Sequence, residues 1–225
     1  MSKQEVCIIC CNDEHSEPLS GNALGGTYSY FSSSNPELER KNQDSLGIYI
    51  NQNQALLIVS DGIGGHRMGD EASRIAVTTI INDSKKDQSI SLSSIYASII
   101  KANKNVRGLN VGAGTTLCVG FIDHNQLTFL SIGDSRGIHI SGMGNKKNQT
   151  IDHSAAGLAT ASELFEESEV LTKDGGNQLV FALGDESLNL SILGPIEINQ
   201  RDQILLSSDG LSANLSFEKI SELIS

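Results

Sequence analysis

Short runs of apolar residues, separated by polar and glycine-containing turns, make up most of this sequence and predict a β-rich fold. One run, residues 55–59, is apolar at every position and predicts a strand that is buried on both faces. This strand leads into Asp61, which is followed by the glycine-rich turn 62–65. Because a carboxylate at the end of a buried strand is costly in free energy unless a cation lies beside it, the pattern indicates a charged site here.

Two further apolar runs end in the same way. Residues 127–132 lead into Asp134, and residues 204–208 lead into Asp209. If these strand ends lie together, their carboxylates form a cluster that repels itself and needs metal ions.

The same patterns predict the remaining elements. Residues 46–50 and 55–59 flank a tight turn and predict a β-hairpin. Helical spacing predicts two successive helices, one from Asp70 and one from near Ser91. The second helix is expected to bury Leu92, Ile95, Tyr96, Ile99 and Ile100. Other predicted strands cover residues 3–11, 27–31, 117–122, 127–132, 137–140, 149–154, 179–183, 191–198 and 203–207, and short helices cover 162–169 and 216–224.

These elements predict one α+β domain over residues 1–225, with antiparallel sheets covered by helices. Residues 1–25 are expected to form an N-terminal strand and loop extension. The composition agrees with a globular protein, since 38% of the residues are hydrophobic and 19% are charged. The net charge of −11 argues against a nucleic-acid partner. No apolar run approaches the ~20 residues that span a membrane, so we expect a cytoplasmic monomer.

The four cysteines, Cys7, Cys10, Cys11 and Cys118, lack the spacing of a disulfide framework. Cys7 and Cys10 could form half of a zinc site, but no second cysteine or histidine pair stands at a suitable spacing. We therefore expect buried thiols in an N-terminal strand. His15, His124 and His139 are expected in turns or at the surface.

In the predicted hairpin, Asp44 and Asp61 lie at the same open end. Asp134 and Asp209 bring the number of carboxylates to four, and the carbonyl oxygen of Gly62 is an additional candidate ligand. Oxygen donors of this kind suit Mg²⁺ or Mn²⁺, whereas zinc prefers histidine or cysteine. Two such ions, about 3.5–4 Å apart, lower the pKa of a shared water and hold a phosphate for in-line attack. The predicted reaction is therefore hydrolysis of a phosphomonoester without a covalent intermediate.

The order of the short motifs resembles that of bacterial PP2C-type (PPM family) protein serine/threonine phosphatases. The motifs are Asn42-Gln43-Asp44, Val59-Ser60-Asp61-Gly62-Ile63-Gly64-Gly65-His66, Gly69-Asp70-Glu71-Ala72-Ser73, Gly114-Thr115-Thr116, Gly133-Asp134-Ser135-Arg136, Asp152-His153-Ser154 and Leu206-Ser207-Ser208-Asp209-Gly210-Leu211. The resemblance covers about residues 26–220.

The resemblance implies a four-layer αββα sandwich of two antiparallel sheets, with two Mn²⁺ or Mg²⁺ ions between them. It implies phosphoserine and phosphothreonine in proteins as substrates, and a serine/threonine kinase that opposes the enzyme. By position, Asp61 would bridge both ions, Gly62 would lend its carbonyl, and Asp209 would hold one ion. Asp44 would order the metal-bound water, and Asp134 matches an acid associated with a third, weaker ion.

The sequence departs from this family at two places. The arginine that grips the substrate phosphate in the family falls at Glu39 here, so Arg40, one residue later, is the candidate phosphate ligand. The final metal-binding aspartate of the family has no counterpart after Asp209. Two explanations stay open: the sequence lacks its natural C-terminus, and with it a core strand of the second sheet, or one metal site is weak.

Three further questions concern the site. His66 could be the general acid that protonates the leaving oxygen, or an exposed loop histidine. Asp134 could bind metal, or it could cap a turn and pair with Arg136. His153 is expected to structure its loop, and residues 158–177 are expected to gate the cleft.

The alternative function is a catalytically weak or silent PP2C-like regulator that binds phosphoproteins. Nucleotide binding fits poorly, because a second helix follows the glycine-rich turn where a dinucleotide fold requires a parallel strand.

Overall fold

The computed structural model describes residues 5–34, 41–63, 68–87, 89–109, 112–162 and 178–224. The strands are β1 (Val6–Cys11), β2 (Leu19–Ala23), β3 (Gly26–Tyr30), β4 (Asp44–Ile50), β5 (Gln54–Asp61), β6 (Leu117–Asp123), β7 (Gln126–Ile132), β8 (Arg136–Ile140), β9 (Lys146–Gln149), β10 (Ser191–Glu197) and β11 (Gln203–Ser207). The helices are α1 (Gly69–Ser84), α2 (Leu92–Arg107), α3 (Ala155–Ala161), α4 (Asp209–Ser212) and α5 (Phe217–Ile224).

The largest sheet is antiparallel throughout and has the order β1-β4-β5-β6-β7-β10 within the described residues. The predicted hairpin is confirmed as β4 and β5, with Leu46 opposite Val59 and Asp44 opposite Asp61. β1 pairs with β4 over its whole length, which makes the N-terminal strand an edge strand of this sheet.

Helices α1 and α2 cover one face of the large sheet. Val77 and Ile81 of α1 lie over Gly47 of β4, where an added Cβ atom would approach their side chains to 2.8 Å. Such a close approach lets the helix pack directly on the strand. Fully buried aliphatic side chains such as Leu56 and Ile99 fill the space between helices and sheet. The hydrophobic effect of this burial is the main source of stability of the layer.

The other face of the large sheet packs on a smaller sheet with the order β11-β8-β9 in the part of the chain that is described. Glycine residues allow the close approach of these two sheets. A Cβ atom at Gly137 of β8 would lie 2.6 Å from the ring of Phe129, and one at Gly120 of β6 would lie 3.2 Å from Leu206 of β11. On the smaller sheet, α5 is attached through Ser221, whose Oγ donates to the Gly144 carbonyl at 2.6 Å. The resulting order of layers, helices, sheet, sheet and helix, is the one that the family resemblance implied.

Several local predictions are corrected by the structure. Residues 19–23, expected in the N-terminal loop extension, form β2 and pair with β3. Leu24 and Gly25 both have positive φ (50° and 75°), as a two-residue hairpin turn requires. The predicted strand 149–154 is wrong, because β9 ends at Gln149. Residues 179–183 form isolated bridges rather than a strand.

The helices require corrections too. In α2, Ile95 and Ile99 are buried, but Leu92, Tyr96 and Ile100 are more than 40% exposed, so the predicted buried face was too wide. The predicted helix 162–169 lies almost entirely outside the described residues, and α3 ends before it. His139 is fully buried rather than at the surface. Its Nε2 atom forms a hydrogen bond with Asp202 at 2.8 Å, which satisfies the buried ring. No helix in the described ranges is both long and apolar enough to cross a membrane.

Candidate metal centre

Asp44 and Asp61 lie directly opposite each other at the first register position of the β4–β5 ladder. The strand ends are fixed by backbone hydrogen bonds, from the Gly62 N–H to the Gln43 carbonyl (3.1 Å) and from the Thr116 N–H to the Asp61 carbonyl (2.9 Å). A side chain at position 62 would collide with the Gly69 carbonyl, so glycine is required there. The pairing of β4 with β5 therefore places the two carboxylates side by side.

Asp209 brings a third carboxylate from the other sheet. It is the first residue of α4, directly after the end of β11, and it is exposed, whereas Asp44 and Asp61 are half-buried. Asp61 lies opposite Asp44 in the β4–β5 ladder, and the charges of Asp44 and Asp209 both raise its pKa. Asp61 is therefore the central member of the group.

The ionisation of these acids shows how closely they are placed. Burial, followed by the charges of Asp44 and Asp209, raises the pKa of Asp61 to about 9. Burial raises the pKa of Asp44 as well, although a hydrogen bond from Ser208 partly opposes this. The pKa of Asp134 is raised to about 6, first by burial and then by the charge of Asp209. All four predicted acids therefore belong to one electrostatic cluster.

No ion pair between described residues involves Asp44, Asp61, Asp134 or Asp209. Carboxylates that repel each other and have no cationic partner are stabilised by a bound cation. The donors are all oxygen atoms, which suits Mg²⁺ and Mn²⁺. The residues present therefore fit a divalent metal centre of the predicted kind.

The turn that carries Asp134 is held by neighbours other than those expected. Arg136 pairs with Asp152, with Nε 2.9 Å and Nη2 2.6 Å from Oδ2, so the alternative pairing of Asp134 with Arg136 is wrong. His153 structures the loop, as predicted: its N–H donates to the Gly133 carbonyl at 2.9 Å, and its Nε2 lies 2.8 Å from Ser191 Oγ. The charge of Arg136 still lowers the pKa of Asp134, but burial and the charge of Asp209 act more strongly in the opposite direction.

Sequence reasoning missed Ser208. Its Oγ donates a hydrogen bond of 2.8 Å to Asp44 Oδ2, across 164 positions of the chain. This contact joins the two sheets at the metal centre and stabilises the charged form of Asp44. The signal available in the sequence was only its place beside Asp209.

Replacing Ser208 by alanine is expected to weaken Mn²⁺ binding about 10–100-fold, because partners that orient a metal ligand contribute effects of this size. Isothermal titration with Mn²⁺ measures the change. Ser207→Ala is the matched control, since among the described residues the Ser207 side chain is not found as a hydrogen-bond partner of Asp44, Asp61 or Asp134. Equal Mn²⁺ affinities for the two variants would contradict a positioning role for Ser208.

Three expectations cannot be placed. Arg40, the candidate phosphate ligand, and His66, the candidate general acid, lie outside the described residues. Most of the expected gating segment, residues 163–177, lies outside them too. These assignments stay predictions.

The chain is similar to known proteins over most of its length. The family model described as "Protein phosphatase 2C" matches residues 37–224, which include all four carboxylates. The serine/threonine phosphatase stp of Listeria welshimeri is 30% identical, covering 78% of this chain and 74% of that protein. Protein phosphatase PhpP of Streptococcus pneumoniae is 31% identical, covering 81% and 78%.

Solved structures share the fold. Serine/threonine phosphatase Stp1 from Staphylococcus aureus has a TM-score of 0.76 at 24% identity, covering 87% of this chain and 81% of that one. The catalytic domain of the serine/threonine protein phosphatase PstP in complex with two manganese ions has a TM-score of 0.66 at 24% identity, covering 97% and 84%.

Proposed function

The chain belongs to the protein phosphatase 2C family, and we propose that it hydrolyses phosphoserine and phosphothreonine in proteins with two divalent ions and no covalent intermediate. The observation that carries this proposal is the convergence of Asp44, Asp61 and Asp209 from separate strand ends. The curated relatives, named as serine/threonine phosphatases, support the substrate class.

In this proposal each carboxylate has a separate part. Asp61, whose pKa is raised by the charges of both Asp44 and Asp209, would hold both ions, and the Gly62 carbonyl would assist it. Asp209 would hold one ion, and Asp134 would hold a third, weaker one. When bound, Mn²⁺ or Mg²⁺ supplies positive charge that lowers the pKa of water and stabilises the phosphoryl oxygens in the transition state.

Asp44 positions the attacking water. Its Oδ2 atom accepts the hydrogen bond from Ser208, which holds the carboxylate in position to accept a hydrogen bond from the water. A carboxylate fixed in this way orients the nucleophile and takes up its proton. Arg40 would bind the substrate phosphate, and His66 would protonate the leaving oxygen of serine or threonine.

The test is phosphate release from a phosphothreonine peptide by the full chain in Mn²⁺. We expect turnover that stops on addition of a chelator and returns with excess Mn²⁺, and a phosphotyrosine peptide should be a poor substrate. The alternative, a silent regulator, would bind the phosphothreonine peptide in a fluorescence assay without releasing phosphate. Binding without any Mn²⁺-dependent release would replace the proposed function by that alternative.

A further inference from the structure

A second group of metal-ligating side chains lies in the segment that follows β1. Cys10, Asp13 and His15 each offer one ligand atom, and these atoms all lie within 4.8 Å of one another. We propose that these three residues bind a single transition-metal ion, Zn²⁺ by their donor atoms, at a site separate from the carboxylate centre.

The donor set distinguishes this group from the carboxylate centre. A thiolate sulfur, an imidazole nitrogen and a carboxylate oxygen form a set that favours Zn²⁺ over Mg²⁺ or Mn²⁺. A zinc ion binds these atoms at about 2.0–2.3 Å, so modest inward movements from the present separations complete the contacts. Three protein ligands leave one tetrahedral position for water or an external ligand.

The surrounding contacts already orient two of the three ligands. The Cys11 N–H donates to Asp13 Oδ2 at 3.1 Å, which leaves Oδ1 for the ion. The His15 ring packs edge-on against Tyr30, with 5.7 Å between ring centroids, and its Nδ1 accepts a hydrogen bond of 3.1 Å from the Ser32 N–H. Coordination through Nδ1 would replace this hydrogen bond.

The fold explains why residues so close in sequence face one another. Cys10 is buried in β1, and Asn12 then adopts a left-handed conformation, with φ 61°. This turn bends the chain so that Asp13, which is exposed, and His15, which is half-buried, return towards the sulfur. The sequence pattern of a zinc site with two pairs of cysteine or histidine ligands does not include this group, because one of its three ligands is a carboxylate.

Two connections attach this group to β4. The Asn12 N–H donates to the Asp44 carbonyl at 2.8 Å. Asn42 Nδ2 donates to the Asp13 carbonyl at 2.6 Å, and Asn42 Oδ1 accepts from the Asp44 N–H at 2.9 Å. A bound ion would therefore tie the N-terminal segment to the large sheet and stabilise the folded chain by mass action.

Titration of the metal-free full chain with Co²⁺, a spectroscopic substitute for zinc, tests the proposal. Thiolate coordination produces a charge-transfer absorption in the near ultraviolet, which an all-oxygen site does not. We expect this absorption in the wild type and in Asp61→Asn, with displacement of cobalt by one equivalent of Zn²⁺. Cys10→Ser should lose the absorption, whereas the matched control Cys7→Ser, at an exposed cysteine, should keep it.

Asp13→Asn and His15→Gln provide tests that do not disturb a buried residue of β1. Since loss of a residue that only orients a ligand weakens metal binding about 10–100-fold, loss of a ligand should weaken it at least as much. Zinc should also raise the Tm of the wild type and not that of His15→Gln. No cobalt–thiolate absorption in the wild type, or equal zinc affinities for wild type and both variants, would overturn the proposal.

Discussion

Replacing Asp61 by asparagine is expected to lower metal-dependent phosphatase activity by at least about 10²–10³-fold. Asp61 is the carboxylate whose pKa the charges of both Asp44 and Asp209 raise, so its loss removes the ligand shared by the two proposed ion sites. Metal ions supply several kcal/mol of transition-state charge stabilisation, and each 1.36 kcal/mol corresponds to a tenfold change in rate. The value of kcat/KM for a phosphothreonine peptide in saturating Mn²⁺ measures the effect.

Asp123→Asn is the matched control for this change. Asp123 is a partly exposed carboxylate at the opposite end of the large sheet, where it faces Gln54 of β5 and hydrogen bonds to the His124 ring. The same chemical change there should leave kcat/KM unaltered. If Asp61→Asn kept more than about a tenth of the wild-type activity, the central role of Asp61 would have to be abandoned.

The metal-free wild type is expected to lose stability relative to Asp61→Asn as the pH rises. The pKa of Asp61 is raised from 3.8 to about 9 in the folded chain, mainly by burial. The folded state therefore binds more protons than the unfolded state between these values, and the free energy of unfolding falls as the pH increases through this window. Each pKa unit corresponds to about 1.4 kcal/mol, so the difference should reach a few kcal/mol near neutral pH.

Urea unfolding of both proteins in chelator, at several pH values from about 4 to about 9, measures this difference. Comparing the two proteins cancels the titration of other groups, such as Asp83, whose pKa is lowered by Lys101 and Lys86. Added Mn²⁺ should stabilise the wild type and have little effect on the variant. A wild type that gained stability over Asp61→Asn with rising pH would show that the pKa of Asp61 is not raised in the folded chain.

Much of the fold was predictable because short stretches of the sequence determine the strands and the turns between them. The apolar runs identified β5 and its neighbours, and a short turn fixed β4 and β5 as a hairpin, so the pairing of Asp44 with Asp61 followed from their equal distances to the turn. Errors arose where local pattern was weak. β2 contains only small or polar residues beside Leu19, and its assignment depended on the turn at Leu24 and Gly25.

The sequence by itself determined the chemistry that the protein offers: aspartates after apolar strands, glycines where backbone must approach backbone, and an excess of acid. Only the tertiary structure decided which groups share one environment. It placed Ser208 on Asp44, buried His139 against Asp202, and brought Asp13 and His15 to Cys10. The physical reason is that strand formation depends on neighbours along the chain, whereas a pKa or a ligand set depends on atoms that only folding brings within a few ångströms.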